Sequence, residues 1–283
     1  MSATMLAPTG VAPQALRRSA VGLGMPTADG TRGEQLRARR AGEVGMVHSW
    51  DLSTGADGPG TRMTVFLSGC PLRCRYCQNP DTWFERDGMP VGVADVAARL
   101  ERYRGVFAAT GGGLTVSGGE PLQQPAFVAR LFHEAKARGI RTALDTSGFL
   151  GRNATDELLA DTDLVLLDVK SGLDDVYRDT TEQELAPTIE FGDRLAALGT
   201  PVWVRFVLVP GLTDGFDNVE AVADLVARWP NVDRVEVLPF HQLGRSKWEE
   251  LGREYTLADT RSPDPELTER VRGQFRARGL ETT

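Results

Sequence analysis

The sequence predicts an α/β fold, a partial (β/α)6 barrel of the TIM type built around a parallel sheet. Short apolar runs alternate with longer segments of helical period or composition, which indicates parallel strands joined by right-handed helical crossovers. The apolar runs are continuous rather than alternating, as expected for strands that are covered on both faces. About six strand–helix units are present, which favours an open or partial barrel over the competing arrangement, a doubly wound sheet.

The elements follow one another from residue 46 onward. Strands are predicted at 63–67, 114–116, 142–144, 164–169, 202–209 and 235–238. Helices are predicted at 93–103, 125–138, 155–160, 188–198 and 218–229, with a last one over 264–278. A chain of 30.8 kDa can form one large α/β domain or two small ones, and we expect a single core domain over 46–283.

Residues 1–45 differ from the rest in composition. They are rich in Ala, Gly, Arg and Pro, hold six arginines against three acidic residues, and show no clear apolar period. We expect a disordered N-terminal extension, with a nucleic-acid or targeting role for the basic stretch 37–40 as the alternative. Residues 1–45 contain no apolar h-region, so we do not expect a secretory signal. Translation that starts at Met25 or Met46 is a further alternative.

Composition narrows the classes of function. The formal net charge is −7, which argues against a general affinity for nucleic acid. No apolar run approaches the roughly 20 residues that span a bilayer. Three cysteines cannot all pair with one another, so we expect a cytoplasmic protein with a metal or redox site. We also expect a monomer. Of 32 basic residues only Lys136, Lys170 and Lys247 are lysines, and each marks a candidate position for a compact, strongly hydrated charge.

Polar and glycine-rich clusters follow the carboxyl ends of the predicted strands. In parallel α/β folds these ends gather on one rim, where the working residues lie. In strand order the clusters begin at Cys70 and then cover 117–120, 145–148, 168–170, 210–211 and 239–241. Because all of these clusters fall on the same rim, we expect one site there.

Cys70, Cys74 and Cys77 are the only cysteines and form one CxxxCxxC stretch. Random placement of three cysteines would give this spacing roughly once in ten thousand trials, so the triplet indicates a site. A structural zinc site takes four ligands, and no histidine lies at knuckle spacing from the three. A three-thiolate catalytic zinc lacks the His/Cys-x-Glu signature of the deaminases, and a redox pair of Cys74 and Cys77 leaves Cys70 unexplained.

An iron–sulfur cluster is the third alternative. Three thiolates on one tight loop suit a cubane cluster, in which three ligands for four irons leave one iron open. An open iron binds substrate through nitrogen and oxygen atoms, as an open zinc position binds water. The candidate ligand is the amino-carboxylate of S-adenosylmethionine (SAM). Taken alone, the triplet is compatible with zinc, redox or iron–sulfur chemistry.

The motifs around the triplet resemble those of the radical SAM superfamily, and within it those of the activating enzymes of glycyl radical enzymes. The segments that carry the resemblance are Asp57-Gly-Pro-Gly60, Gly69-Cys70, Cys74-Arg-Tyr-Cys-Gln-Asn-Pro80, Asp81-Thr-Trp83, Ser117-Gly-Gly-Glu-Pro121, Asp145-Thr-Ser-Gly148, Leu167-Asp-Val-Lys170, Pro239-Phe-His-Gln-Leu-Gly244 and Lys247-Trp248. They occur in the family's order and spacing over about residues 46–280. The chain has no inserted eight-cysteine domain, so it is similar to the short type that acts on pyruvate formate-lyase.

The resemblance implies the radical SAM core fold and a [4Fe–4S] cluster ligated by Cys70, Cys74 and Cys77. It implies that SAM contacts a set of rim residues, namely Tyr76, Cys77, Gln78, Gly118, Gly119, Glu120, Asp145, Asp168, Val169, Lys170 and His241. In the family the GGE segment meets the methionyl amino group and the DxK pair meets the ribose and the carboxylate. A monovalent cation bound near the aspartate of the third-strand motif helps to hold that carboxylate.

Several of these residues have a structural alternative, and three positions depart from the family. The alternatives are a plain turn at 118–119, loop packing for Tyr76, an exposed ion pair for Asp168 and Lys170, a structural role for His241 and a helix cap for Asp145. The departures are Gln78 in place of a histidine, Ser147 in place of an asparagine and Phe240 in place of a tyrosine. None of them removes a cluster ligand.

The activity that the resemblance implies is activation of pyruvate formate-lyase. The reduced cluster cleaves SAM to methionine and a 5′-deoxyadenosyl radical, which takes a hydrogen from the Cα of one glycine of the partner. A flavodoxin or ferredoxin is the implied electron donor. Asp57 is expected beside the glycine loop of the partner. Arg205 lies in mid-strand and needs a partner, which the cofactor or the substrate peptide would supply.

Three other functions stay open at this point. The first is activation of a different glycyl radical enzyme, and the second is radical SAM chemistry on a small molecule. The third belongs to another class, a non-catalytic barrel that senses SAM or iron. It would bind SAM without producing 5′-deoxyadenosine, so the presence of that product separates it from the other two.

Overall fold

The computed structural model describes residues 24–283 and is organised around one eight-stranded sheet. The strands are β1 Val44–Thr54, β2 Thr61–Leu67, β3 Met89–Gly92, β4 Gly113–Gly118, β5 Arg141–Thr146, β6 Leu164–Asp168, β7 Val202–Leu208 and β8 Val232–Pro239. Strand β2 and strands β4 to β8 pair in parallel. The six predicted strands are therefore confirmed, each within three residues of its predicted ends.

The sheet order is β3-β1-β2-β4-β5-β6-β7-β8, so the parallel strands follow one another in chain order. A doubly wound sheet reverses its strand order at a switch point. No such reversal occurs among the strands of residues 24–283, and the predicted partial barrel is confirmed. On its outer side β8 makes only an isolated bridge, between Val235 and Thr282, within this part of the chain, so the barrel stays open.

Helices connect the parallel strands and cover the outside of the barrel. Within residues 24–283 they are α1 Arg32–Arg40, α2 Val93–Thr110, α3 Pro125–Ala137, α4 Asp156–Ala160, α5 Asp174–Thr181, α6 Ala186–Leu198, α7 Phe216–Val226, α8 Arg245–Glu250 and α9 Pro265–Arg276. The predicted helices correspond to α2, α3, α4, α6, α7 and α9. Helices α5 and α8, of eight and six residues, were not predicted.

The amino-terminal region adds structure that the composition does not reveal. The prediction that 1–45 is disordered is wrong for residues 24–45, which include α1 and the start of β1, while residues 1–23 lie outside the described part. Helix α1 has a capping box between Thr31 and Glu34 and buries none of its residues. Its order therefore comes from its cap and from the neighbouring chain, not from an apolar stripe that the sequence would show.

The two faces of the parallel strands differ in chemistry. Residues that point outward pack with the helices in the main core, among them Val65, Val116, Leu144, Leu167, Val204 and Val237. Neighbouring residues point to the inside of the barrel, where side chains are largely polar or charged. None of the helices in the described part is long and apolar enough to cross a membrane.

Candidate active site

The cysteine loop leaves the carboxyl end of β2 and is fixed by backbone hydrogen bonds. Four of its amides donate to neighbouring segments over 2.7–3.1 Å: Gly69 to Thr82, Cys70 to Trp83, Arg73 to Thr181 and Arg75 to Thr180. The loop is thus held on one side by the chain that follows it and on the other by the end of α5. Inside it, the Cys77 amide donates to the Cys74 carbonyl over 3.0 Å. A loop held in this way fixes the three thiols relative to the barrel.

A cavity of about 300 Å³ opens between this loop and the carboxyl ends of the strands. We call it the rim cavity. Of the residues predicted to form the site, those that line it are Cys70, Cys74, Cys77, Tyr76, Gln78, Gly118, Gly119, Asp145, Asp168, Lys170, His241, Asp57 and Arg205. The structure therefore brings together residues of strands β4 to β7, the turn before β2, the cysteine loop and the segment after β8. Glu120 and Val169 are the two predicted site residues outside this lining.

Gly118 and Gly119 are required by close packing beneath the cysteine loop. Gly118 has a φ of +114°, and a Cβ there would lie 2.3 Å from the Leu67 nitrogen. A Cβ on Gly119 would lie 2.4 Å from the carbonyl oxygen of Gly69. The two glycines thus allow the β4 end to lie directly against the start of the cysteine loop. They are more than a plain turn, because any side chain would push the loop away.

A network of charges crosses the inside of the barrel below the thiols. Ser117 donates to Asp145 over 2.6 Å, and Arg205 lies 3.1 Å from the same Oδ2. Arg205 also lies 3.8 Å from Glu236. Burial raises the pKa of Asp145 to about 6, against the opposing effect of Arg205. Arg205 was expected to need a partner from the cofactor or the substrate peptide, and carboxylates of its own chain already pair with it.

Asp168 and Lys170 form an ion pair at the end of β6. Their side chains meet at 2.7 Å and are 25% and 10% exposed, so this pair is not the exposed one of the structural alternative. The Lys170 ammonium also lies 5.7 Å from the ring centroid of Tyr76. Although burial opposes it, the charge of Asp168 raises the pKa of Lys170 well above its usual value. A fixed cation with further N–H donors therefore faces the rim cavity.

Glu120 is a structural residue in this arrangement. Its buried carboxylate accepts hydrogen bonds from the hydroxyls of Thr146 and Ser147 over 2.6 and 2.5 Å. It also accepts from the amides of Ser147 and Leu122. All of these contacts engage the carboxylate, and a contact of Glu120 with SAM stays a prediction. The family's asparagine position, Ser147, serves here to anchor this group.

The side chain of Val169 points away from the rim cavity. Its side chain is fully buried in the main core, and its amide donates to the Arg205 carbonyl over 3.1 Å. The period of two along a strand explains this, because the residue between Asp168 and Lys170 points to the opposite face. The DxK spacing thus places two residues toward the cavity and the middle one away from it.

Gln78 and His241 join the cysteine loop to the segment after β8. The Gln78 amide donates to the carbonyl of His241 over 3.0 Å, and Gly244 packs on the Gln78 backbone. His241 itself is exposed at the mouth of the rim cavity. Phe240 is buried with Tyr76 and Cys74 in a second apolar cluster. Each of these departures from the family pattern is therefore accommodated by local packing.

Asp57 reaches the rim cavity from the turn that precedes β2. Its carboxylate accepts a hydrogen bond from Thr64 over 2.9 Å, and its carbonyl accepts one from Thr115 over 2.7 Å. These contacts draw the turn into the barrel and place the carboxylate below the thiols. The turn therefore places Asp57 in the lining of the rim cavity, as the predicted site requires.

A supporting layer below the cysteine loop was not assigned from the sequence. Asp81, 4% exposed at its side chain, is 2.8 Å from His48 Nε2 and 3.1 Å from Lys247 Nζ. These contacts lower the pKa of Asp81 in spite of its burial. The Trp248 indole donates to the Cys77 carbonyl over 2.9 Å. Two signals in the sequence could have identified this layer: the Asp-Thr-Trp and Lys-Trp motifs, and the scarcity of lysine in the chain.

Unpartnered polar atoms gather around the rim cavity. Eleven buried side-chain nitrogen or oxygen atoms of the described residues lack a hydrogen-bond partner, and five belong to residues of the cavity lining: Tyr76, Gln78, Trp83, Asp145 and Arg205. Buried polar groups normally have partners. A polar ligand in the cavity would supply them, which fits the implied binding of SAM.

The chemistry of the three thiols is that of ligands to a metal centre. Burial raises the pKa of all three, that of Cys74 to about 12, and a metal centre is what deprotonates such thiols. Zinc would hold its thiolates about 2.3 Å from one centre. No three cysteine, histidine or acidic side chains of residues 24–283 surround one ion position in that manner. Ligands of a cluster bind separate irons and are spaced more widely.

Comparison with known proteins gives a matching family and similar relatives. A family model described as the radical SAM superfamily matches residues 64–226. A pyruvate formate-lyase 1-activating enzyme of Escherichia coli is 40% identical over 232 residues, which cover 81% of this chain and 94% of that protein. A pyruvate formate-lyase-activating enzyme of Clostridium pasteurianum is 40% identical over 228 residues, covering 81% of this chain and 95% of the relative.

Solved structures share the fold. A domain of a pyruvate-formate lyase-activating enzyme from Bacteroides vulgatus has a TM-score of 0.52 at 24% identity, covering 61% of this chain and 98% of that one. A radical SAM methyltransferase from Sphaerobacter thermophilus has a TM-score of 0.54 at 22% identity, covering 82% and 67%. At these identities the likeness concerns the fold. Together with the family match and the two relatives, it shows that the chain belongs to the radical SAM superfamily and, within it, to the pyruvate formate-lyase-activating enzymes.

Proposed function

We propose that this protein generates a glycyl radical in pyruvate formate-lyase, with a [4Fe–4S] cluster ligated by Cys70, Cys74 and Cys77 and with SAM in the rim cavity. When bound, cluster and SAM supply the one-electron cleavage of a carbon–sulfur bond that yields a 5′-deoxyadenosyl radical able to take the glycine hydrogen. The observation that carries the proposal is the meeting of three thiols with the Asp168–Lys170 pair in one cavity.

The chain's own residues bind and orient SAM. Lys170 keeps N–H donors beyond the one given to Asp168, and these suit the carboxylate of SAM. Asp168 accepts hydrogen bonds and suits the ribose hydroxyls. Gly118 and Gly119 leave backbone groups uncovered by side chains at the cavity wall, where the amino group of SAM is expected.

The acidic groups deeper in the barrel have two proposed tasks. Asp145 Oδ1 is buried without a partner, which supports a monovalent cation at this carboxylate. Asp57 and Arg205 line the same cavity, and we assign them to the glycine loop of the partner. Entry of that loop would exclude water from the place where the radical forms, which prevents side reactions. The described residues of the rim cavity present no acid–base pair for the hydrogen transfer, and abstraction of a hydrogen atom needs none.

The electron donor we propose is a flavodoxin or ferredoxin, and the proposed compartment is the cytoplasm. A chain whose three cysteines all lie in one loop, with no disulfide among them, suits a reducing compartment. Reduction of the cluster requires an electron from a low-potential protein. The described residues include no redox group besides the cysteine loop that could supply this electron.

The test is anaerobic electron paramagnetic resonance of pyruvate formate-lyase after incubation with the reconstituted protein, SAM and dithionite. We expect a glycyl doublet, and about four irons per chain. Cys74→Ala should abolish both the doublet and 5′-deoxyadenosine formation, while its circular dichroism stays that of the unaltered protein.

Three outcomes would contradict the proposal. A zinc-only product would exclude the cluster. SAM binding without 5′-deoxyadenosine would favour a sensor. A doublet that arises only in another glycyl radical enzyme would reassign the partner while leaving the chemistry in place.

A further inference from the structure

Three arginines surround two aromatic rings beside the cysteine loop. The guanidinium carbons of Arg73 and Arg253 lie 4.9 and 4.8 Å from the ring centroid of Trp83. Both also lie over Phe84, at 5.5 and 5.7 Å, and Arg86 lies 4.5 Å from the same ring. We call these five residues the arginine patch. Stacking on a ring holds a guanidinium in place while its N–H donors at the edge stay available.

The arginine patch carries uncompensated positive charge. Within residues 24–283, Arg73 and Arg253 take part in no ion pair, and Arg86 has a weak one to Asp87 at 4.0 Å. Arg86 and Arg253 are exposed, and the neighbouring Glu254 offsets part of their charge. Three cations stand against Asp87 and Glu254, while the third neighbouring acid, Glu85, is paired with Arg39, so an excess of positive charge remains on a chain whose net charge is −7. A local reversal of sign on an acidic protein is the signature of a surface that attracts acidic partners.

The patch is separated from the thiols by a single residue. Trp83 lines the rim cavity together with the three cysteines, and the guanidinium groups lie over its ring. The Arg73 guanidinium also donates to the carbonyls of Cys70 and Leu72, each over 2.7 Å. A protein bound at the patch would therefore touch the loop that carries the thiols without entering the rim cavity, which stays free for SAM and the glycine loop.

We propose that the arginine patch is the docking site of the electron donor, an acidic, low-potential flavin or iron–sulfur protein. The inference rests on the proposed function, since it assumes that the cysteine loop next to Trp83 holds a centre that accepts an electron. In each encounter the donor's reduced centre is oxidised by one electron, which passes to the cysteine-loop site and is consumed in the reductive cleavage of SAM. Docking beside the barrel explains how donor and glycyl radical partner are accommodated on one small protein.

Binding of the donor is the first test, and it needs no turnover. The probes are an oxidised flavodoxin and a plant-type ferredoxin, whose affinities for the chain are measured by surface plasmon resonance at low and high salt. We expect Arg86→Glu with Arg253→Glu to weaken binding of a probe at least about tenfold at low salt, and the difference to shrink at high salt. Arg86→Gln with Arg253→Gln should give a smaller loss. The matched control, Arg102→Glu with Arg141→Glu, changes the net charge equally at exposed positions away from the patch and should bind as the unaltered chain does.

Turnover separates this inference from the proposed function. With dithionite as reductant the patch variants should form 5′-deoxyadenosine at the unaltered rate, whereas with the reduced probe their rate should fall with their affinity. Equal binding by patch and control variants, or no salt-sensitive binding of either probe to the unaltered chain, would overturn the docking site. Loss of the dithionite-driven reaction in the unaltered chain would instead overturn the proposed function.

Discussion

Two buried arginines inside the barrel, Arg62 and Arg205, lie in contrasting surroundings. Arg62, near the amino ends of the strands, is 1% exposed and bonds neutral oxygens, the hydroxyl of Thr115 at 2.6 Å and the carbonyl of Leu114. Burial lowers its pKa to about 10. Arg205, nearer the carboxyl ends, faces Asp145 and Glu236, and these charges raise its pKa against the effect of burial.

The difference indicates that Arg62 has a structural role, whereas Arg205 belongs to the charged lining of the rim cavity. Arg62 closes the barrel floor with neutral partners. Around Arg205 the charges compensate one another, yet Arg205 Nε and Asp145 Oδ1 remain without hydrogen-bond partners. Buried polar atoms that lack partners are costly unless something else satisfies them. The surroundings of Arg62 are therefore complete in themselves, whereas those of Arg205 leave polar atoms that a ligand would satisfy.

The largest expected effect tests the contrast between Arg205 and Arg62 by the stability of their variants. Arg205→Met should lower the free energy of unfolding of the cluster-free protein by about 3–5 kcal/mol, because it leaves two buried carboxylates without their cation. The measurement is urea unfolding at pH 7. The matched control is Arg62→Met, which exchanges a buried cation with neutral partners for an apolar side chain of similar length. It should cost less, about 1–2 kcal/mol, because it leaves only neutral acceptors without their donor. If both variants lost the same free energy of unfolding, pairing with carboxylates would not be what makes Arg205 important for stability.

A second substitution tests whether the Asp168–Lys170 pair contributes to SAM binding. Lys170→Ala should weaken SAM binding about 100-fold, because it removes the cation proposed for the carboxylate and leaves Asp168 without its partner. Anaerobic isothermal titration calorimetry of the reconstituted protein gives the affinity. Lys136→Ala is the control, since this lysine also pairs with an aspartate, Asp163, but on the surface. An unchanged affinity in Lys170→Ala would remove the pair from the SAM site.

The smallest effect concerns the supporting layer, where Asp81 resembles Arg62 in having all its partners. His48 and Lys247 lower the pKa of Asp81 below 3.8, so its ionised form stabilises the fold above that pH. This contribution is lost as pH falls from about 4 through the folded-state pKa. Asp81→Asn should cost about 1–3 kcal/mol at pH 7 and less at pH 3. Urea unfolding at both pH values measures it, and an equal cost at both would exclude the ionised carboxylate as the cause.

The parallel strands and their rim were predictable because both depend on short-range patterns. Continuous apolar runs such as 164–169 identify strands covered on both faces, and polar residues directly after them must lie at the carboxyl end. Strand β1 was not predicted because its second half is exposed and mixed in composition. It is stabilised by antiparallel pairing with β2 and β3, which a local pattern does not reveal.

The sequence by itself determined the cysteine triplet, the order of the rim motifs and the choice of residues that meet there. Only the tertiary structure decided how each side chain is used. The carboxylate of Glu120, which the motif assigns to SAM, accepts hydrogen bonds from Thr146 and Ser147, and Arg205 finds carboxylate partners within the chain. The arginine patch likewise exists only after 253 folds back onto 83–84. The physical reason is that hydrogen bonds and ion pairs act over a few ångströms between residues that lie many positions apart, so their partners are chosen by packing and not by spacing in the sequence.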